Sequence, residues 1–183
     1  MITADFFFPQ VHECFISTNH LSFSADQFVF REVVLLRGEE DQATVFRYHP
    51  NNSRLSRDKE LQTADFWRSA TGLKYFPSRA ENSRPQSDVG WDLRQYFWGL
   101  EPAQTTIYVK GFQLRVKIAA LLPDFDVVDF DDLSPEKLQV RAEEAVWHEC
   151  THHNRPRGFR AHHHCAITKV FALRRLVRDY YRI

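Results

Sequence analysis

Residues 27–37 read QFVFREVVLLR, and residues 42–49 read QATVFRYH. Both stretches are rich in β-branched and aromatic residues, which favour strands, and the acidic segment between them is short enough for a hairpin loop. Glu32 stands out, because a carboxylate among apolar neighbours costs free energy unless a cation, a metal or hydrogen-bond donors meet it. The two stretches therefore predict an antiparallel hairpin. They leave open whether Glu32 pairs with an arginine, faces water on an edge strand or binds a metal.

An alternation of strand and helix follows. Residues 105–110 (TTIYVK) and 126–130 (DVVDF) have the composition of short strands, and residues 112–122 (FQLRVKIAALL) have the apolar spacing of a helix with a buried stripe. Strand, helix and strand at this spacing form a βαβ unit with parallel pairing. Residues 161–181 predict a long final helix with an apolar face.

This order of elements predicts the fold class. We expect a single α/β domain over residues 1–183, with a ribonuclease H-like mixed sheet flanked by helices. Residues 1–25 are apolar but lack periodicity, so we treat them as an N-terminal extension without an assigned structure.

Charge and cysteine content limit the class of protein. Lys and Arg number 24, as do Asp and Glu, so the chain has no overall basic field. The charge is unevenly distributed, because residues 121–150 are mainly acidic and residues 151–183 mainly basic. An odd number of cysteines, no signal-peptide pattern and no apolar run of membrane length predict an intracellular protein, nuclear or cytoplasmic, without a membrane partner.

A histidine- and cysteine-rich stretch precedes the final helix. Cys150 and His153 have C-x2-H spacing, and Cys165 follows near the start of the helix. Thiolate and imidazole are zinc ligands, and a carboxylate from elsewhere can complete a tetrahedral site. A basic surface with incidental histidines is the alternative. If His153 is not a ligand, its place falls to one of four neighbours, His152, His162, His163 or His164.

Glu32, Cys150-x2-His153 and Cys165-Ala166 together resemble the Glu-Cys-His-Cys signature of the Maelstrom domain. That family descends from DEDD-type exonucleases on the ribonuclease H-like fold. The resemblance implies that Glu32, Cys150, His153 and Cys165 bind one structural zinc in place of a catalytic magnesium pair. It also implies a role near small-RNA-guided transposon silencing, the piRNA pathway, and a weak cleavage of single-stranded RNA.

The ancestral exonuclease motifs are degenerate in this sequence. On that alignment, Phe30, Arg115 and Lys169 stand where acids would hold metal ions. Two-metal catalysis needs carboxylates that hold two ions about 4 Å apart. We therefore predict that two-metal exonuclease activity is absent. Any weak RNA cleavage would then come from elsewhere, with His162 or His164 as acid and base.

Arginines near the carboxyl end predict a contact with single-stranded RNA, because guanidinium groups bind phosphates and aromatic rings stack on bases. The alternatives are that these arginines cap a helix and pair with the acidic stretch, that the domain is a protein–protein interaction module, or that it is an active ribonuclease. Protein partners are expected in any case. The predicted RNA-contacting residues are Arg155, Arg157, Phe159, Arg160, Arg174, Arg175 and Arg178.

Asp124, Asp126, Asp129, Asp131 and Asp132 form a second acidic series. Such a series either binds a cation or lies at a solvated strand end and helix N-terminus, where negative charge is favourable. The sequence leaves both interpretations open.

Overall fold

The computed structural model describes residues 11–22, 28–38, 40–51, 58–71, 77, 82–133 and 165–181. Six strands form one mixed sheet in the order β4-β3-β2-β1-β5-β6. The strands are β1 (His12–Ser22), β2 (Phe28–Arg37), β3 (Thr44–His49), β4 (Arg84–Pro85), β5 (Thr105–Val109) and β6 (Asp126–Asp129). The helices are α1 (Asp58–Thr71), α2 (Val89–Tyr96), α3 (Phe112–Leu121), α4 (Phe130–Leu133) and α5 (Ala166–Tyr181).

The predicted hairpin is confirmed. β2 and β3 are antiparallel neighbours, and Glu32 lies directly opposite Arg47 in their register. β2 is an interior strand, flanked by β1 on its other side. The interpretation of Glu32 as a solvent-facing residue of an edge strand is therefore wrong, because neither side of β2 is open.

β1 is a central strand that the sequence pattern did not indicate. It pairs antiparallel with β2 and parallel with β5, so it joins the hairpin to the βαβ unit. Its apolar residues 14–16 are followed by three polar residues, Ser17, Thr18 and Asn19, that are nevertheless buried. Buried polar residues disguise the usual alternation of a strand. Glu32 consequently lies on the second strand of the chain and not on the first.

The βαβ unit is confirmed, since β5 and β6 pair in parallel on either side of α3 in sequence. The buried stripe of α3 is narrower than its apolar spacing predicts. Leu114 and Ile118 are buried, whereas Phe112 is 66% exposed and Val116 is 45% exposed. Gly111 precedes the helix with φ +104°, a conformation that other residues rarely adopt.

Two apolar clusters fill the two faces of the sheet. α2 and α3 cover one face, where Leu93 and Ile118 are fully buried against β1, β2 and β5. α5 covers the other face, where Val170 and Val177 are fully buried against the same strands. The chain is therefore a mixed sheet flanked by helices, as the sequence predicted. Within the described ranges, no helix has the length and apolar character needed to cross a membrane.

The direction of α5 decides which side chains meet. Its first turns lie over the carboxyl end of β1, where Lys169 reaches Asn19, and its last turns lie at the opposite end, where Arg178 reaches the carbonyl of Gly38 just after β2. Lys169 and Arg178 are separated by nine residues, about 13 Å along a helix. The predicted start at residue 161 lies outside the described residues, and the described helix begins at Ala166.

Candidate functional site

A buried carboxylate lies at the centre of the sheet. Glu32 has no exposed side-chain surface, and its neighbours across the two strand ladders are Asn19 on β1 and Arg47 on β3. Asn19 Nδ2 donates a hydrogen bond to Glu32 Oε2 at 3.0 Å, and Arg47 Nε lies 3.7 Å from Glu32 Oε1. An amide donor and a guanidinium offset the desolvation of the carboxylate, as buried charges require.

A lysine on α5 completes this group. Lys169 Nζ donates to Asn19 Oδ1 at 3.1 Å and to the carbonyl of Thr18 at 3.3 Å. Burial lowers the pKa of Lys169 to about 8, while the nearby Cys165 and Glu32 act in the opposite direction. Asn19 therefore links an ammonium to a carboxylate. We call Asn19, Glu32, Arg47 and Lys169 the Glu32 cluster.

Cys165 lies beside the same cluster. It is buried directly before α5, and its carbonyl accepts a hydrogen bond from the Lys169 backbone N–H at 3.0 Å. Lys169, one turn further along α5, reaches Asn19, and Asn19 bonds Glu32. Two of the four predicted zinc ligands thus come from distant parts of the chain to the same region of the structure.

The other predicted ligands lie outside the described residues, namely Cys150 and His153 and the alternatives His152, His162, His163 and His164. Within the described part of the chain, no three His, Cys, Asp or Glu side chains are grouped so as to hold a metal ion. Glu32 and Cys165 fit a zinc site in donor type, an oxygen and a sulfur. The four-ligand site stays a prediction.

His20, near the end of β1, was not identified from the sequence. Its Nδ1 lies 2.7 Å from the Thr18 hydroxyl oxygen, and its ring stacks on Phe28 with centroids 4.1 Å apart. Burial, reinforced by Lys169, lowers the pKa of His20 to about 4. The imidazole is therefore neutral at pH 7. Only the assignment of residues 12–22 to a strand could have indicated it.

In the second half of the acidic series, the carboxylates bind groups of the chain itself. Asp129 is buried at the end of β6, and its Oδ1 accepts the N–H groups of Gly111 at 2.8 Å and Asp131 at 3.1 Å. Asp131 forms an ion pair with Lys110, and Asp132 forms one with Arg115 at 2.8 Å. Asp129 thus caps the turns after β5 and β6, and Asp131 and Asp132 pair with neighbouring cations, which favours the second interpretation of the series.

The arginines of α5 hold another part of the fold. Arg174 Nη1 donates to the carbonyls of Gly38 at 2.9 Å and Glu40 at 2.7 Å, and Arg178 Nη2 donates to Gly38 at 3.0 Å. Arg175 is more exposed and lies 3.7 Å from Asp179. Arg174 and Arg178 thus fasten the β2–β3 turn to α5. Their predicted role in RNA contact stays untested.

The other predicted RNA contacts, Arg155, Arg157, Phe159 and Arg160, lie outside the described residues. Of the three residues aligned with ancestral acids, Lys169 belongs to the Glu32 cluster, whereas Arg115 pairs with Asp132. Phe30 packs in the apolar cluster beneath α2 and α3.

Comparisons with known proteins address the fold. No protein-family model and no curated protein matches the sequence. Among solved structures, the chain is similar to Escherichia coli Exonuclease I in complex with a 5cy-dA13 oligonucleotide, with a TM-score of 0.59 and 17% identity. The fold is nuclease-like. This confirms the predicted ribonuclease H-like fold class. With an identity of 17%, the similarity concerns the fold alone.

The match covers 93% of this chain and 41% of the Exonuclease I chain. The chain thus spans less than half the length of that protein.

Proposed function

We propose that this chain is a single-strand nucleic-acid-binding domain on a nuclease-like fold, in which the Glu32 cluster stands where a nuclease would hold metal ions for catalysis. The observation that carries the proposal is the link from Lys169 through Asn19 to Glu32, since it brings an ammonium to the buried acid of the central sheet.

The charges of the Glu32 cluster argue against two-metal chemistry. A two-metal site needs several carboxylates around a pair of ions, and cations nearby repel Mg²⁺. Glu32 instead has Arg47 at 3.7 Å, and Lys169 is linked to it through the side chain of Asn19. A single carboxylate shared between two cations stabilises the fold, and it lacks the further acids that metal-dependent hydrolysis needs.

The class of partner rests on the fold. Exonuclease I was solved in complex with an oligonucleotide, and the alignment includes 93% of the present chain. A fold that has lost its catalytic acids can keep its surface for a nucleic-acid strand, because binding and hydrolysis use different groups. Single-stranded RNA is the proposed ligand, and the basic segment with Arg155, Arg157 and Arg160 is a proposed contact.

The finer part of the proposal is a structural zinc of the Maelstrom type. Glu32 and Cys165 would supply two ligands, and Cys150 and His153 the other two. Its support is the burial of the first two residues beside one lysine. A zinc with four protein ligands contributes to folding and leaves no open position for water. With it comes the proposed intracellular role in small-RNA-guided transposon silencing.

A protein–protein module is the second candidate function. Trp91 is 57% exposed and Trp98 is 80% exposed, on and just after α2. Exposed tryptophans are enriched at protein interfaces, because their large rings bury much apolar area and retain an N–H donor. This function predicts a protein ligand whose binding does not compete with the binding of nucleic acid.

The test combines binding with cleavage. A 5′-labelled single-stranded RNA is titrated with the full chain at low salt, and is then incubated with the protein and Mg²⁺ or Mn²⁺. We expect saturable binding without a divalent-dependent ladder, and weaker binding by the triple variant Arg155/Arg157/Arg160→Ala. A processive ladder that disappears in Glu32→Gln would contradict the proposal, as would no detectable binding at low salt.

A further inference from the structure

Phe112 is an aromatic ring in solvent at the start of α3. It is 66% exposed, and it follows Lys110 and Gly111 at the carboxyl end of β5. The guanidinium of Arg115, one turn further along the helix, lies 5.9 Å from the centre of the Phe112 ring. Because this ring contributes little to the core and lies beside a cation, its face is available to a ligand.

A second ring with a cation lies near the same helix. Phe28, the first residue of β2, has the His20 ring stacked on it and the Phe30 ring in edge contact at 4.8 Å. Lys117 Nζ, five residues after Phe112 on α3, lies 6.0 Å from the centre of the Phe28 ring. Phe112 and Lys117 lie about 140° apart around the axis of α3, with the exposed Val116 between them. We call Phe28, Lys110, Phe112, Arg115 and Lys117 the α3 surface.

The charge of the α3 surface limits its ligand. Lys110 and Arg115 are paired with Asp131 and Asp132, whereas Lys117 has no ion pair with any described residue. The chain as a whole has equal numbers of acidic and basic residues. A surface with one unneutralised cation attracts few phosphates, so duplex DNA or RNA, which is held mainly through its backbone, is a poor fit.

Stacking is the interaction that the α3 surface offers. An exposed ring beside a cation binds the face of an unpaired base, and such faces are available only in single strands. We propose that the α3 surface binds single-stranded nucleic acid through base stacking on Phe112, with Lys117, which lies over the partly buried Phe28 ring, contacting one phosphate. This inference rests on the proposed function. It assigns to that function a binding site that is separate from the basic segment.

The α3 surface is linked to the Glu32 cluster by a chain of contacts. Lys169 Nζ donates to the Thr18 carbonyl, the Thr18 hydroxyl lies 2.7 Å from His20 Nδ1, and the His20 ring stacks on Phe28, over which Lys117 lies. Phe28 lies opposite Ser22, at the carboxyl end of β1. Trp98 lies towards the opposite end, because α2 ends beside Arg37, the last residue of β2, whose guanidinium bonds the Tyr96 carbonyl. Trp98 is thus a matched exposed aromatic for comparison.

The experiment measures binding of fluorescein-labelled oligo(dA) and oligo(rA) of about thirteen nucleotides to the full chain. Phe112→Ala should weaken binding roughly 5- to 100-fold, Phe112→Trp should restore it, and Trp98→Ala should leave it unchanged. An abasic strand of the same length should bind as weakly as the intact strand binds Phe112→Ala. Circular dichroism confirms that each variant is folded, and comparison of the two strands shows whether a 2′-hydroxyl matters.

Salt dependence separates stacking from phosphate contact. Lys117→Gln should reduce the slope of the logarithm of the affinity against the logarithm of the salt concentration by about 0.7, the contribution of one phosphate contact on a single strand. Phe112→Ala should leave the slope as it is.

Each failure has a distinct meaning. Tight binding by the wild type that Phe112→Ala leaves unchanged, or equal binding of the abasic strand, overturns the inference while the proposed function stands on the basic segment. An equal loss in Trp98→Ala also overturns it. No binding by the wild type overturns both.

Discussion

Lys169 on α5 donates a hydrogen bond of 3.1 Å to Asn19 on β1, a residue 150 positions earlier in the chain. The amide of Asn19 uses its other end to donate to Glu32. One short polar side chain thus satisfies an ammonium and a carboxylate at once. The orientation of that amide follows from its two charged neighbours, because only its oxygen can accept from a lysine and only its nitrogen can donate to a carboxylate.

Removing this bridge should destabilise the fold. We expect Asn19→Ala to lower the free energy of unfolding by about 2 kcal/mol, because it leaves two desolvated charged groups short of a partner. Ser17→Ala, at a buried polar position on the same face of β1, removes only a neutral hydroxyl and should lower it by no more than about 1 kcal/mol. Urea denaturation measures both. Equal effects of the two variants would show that Asn19 does not bridge the charges.

Acid should destabilise the chain through His20. Its pKa is about 4 in the folded protein and near the ordinary 6.5 when unfolded, so the unfolded chain takes up the proton first as the pH falls. The stabilisation is complete above pH 6.5 and is lost between pH 6.5 and 4, by about 1–3 kcal/mol. His20→Phe keeps a ring to stack on Phe28 and should remove this part of the pH dependence.

The control for this measurement is His12→Phe. His12 is an exposed residue at the other end of β1. Its replacement should leave the slope of unfolding free energy against pH between 4 and 6.5 as in the wild type. A wild-type slope in the His20→Phe variant would mean that other groups cause the acid sensitivity.

The zinc proposal predicts a difference between two buried cysteines. Elemental analysis should find close to one zinc per chain in the wild type and none in Cys165→Ala. Cys14→Ala should retain the metal, since Cys14 lies within the apolar cluster and burial raises the pKa of its thiol to about 12. A thiol that resists ionisation is a poor zinc ligand. Normal zinc content in Cys165→Ala would end the assignment.

The arginines of α5 should differ in their contribution to stability. Arg174→Ala should lower the free energy of unfolding by about 1–2 kcal/mol, because its guanidinium bonds two carbonyls of the β2–β3 turn. Arg175→Ala should cost less than about 0.5 kcal/mol, as its ion pair with Asp179 lies in solvent. Thermal denaturation of the two variants checks this. If Arg175→Ala proves the more damaging, the turn is held by other contacts.

Much of the fold could be predicted from the sequence because its signals are local. The β-branched and aromatic content of residues 28–37 and 44–49, with the short acidic segment between them, favours a hairpin. Likewise, the change from strand composition at Thr105–Val109 to helical spacing at Phe112–Leu121 requires a crossover to the next parallel strand. β1 could not be predicted in this way, because Ser17, Thr18 and Asn19 are buried although such residues are mostly exposed.

By itself, the sequence determined the mixed α/β sheet and indicated that Glu32 is anomalous, because periodicity and the cost of a buried charge depend only on neighbouring residues. Only the tertiary structure decided which side chains pair with the Glu32 carboxylate. Asn19 and Lys169 meet Glu32 because β1 lies between β2 and β5 and because α5 runs back along β1 from its carboxyl end. The spacing of residues along a chain indicates which side of a helix or strand is buried. Which side chains from distant parts of the sequence meet depends on how the helices and strands pack.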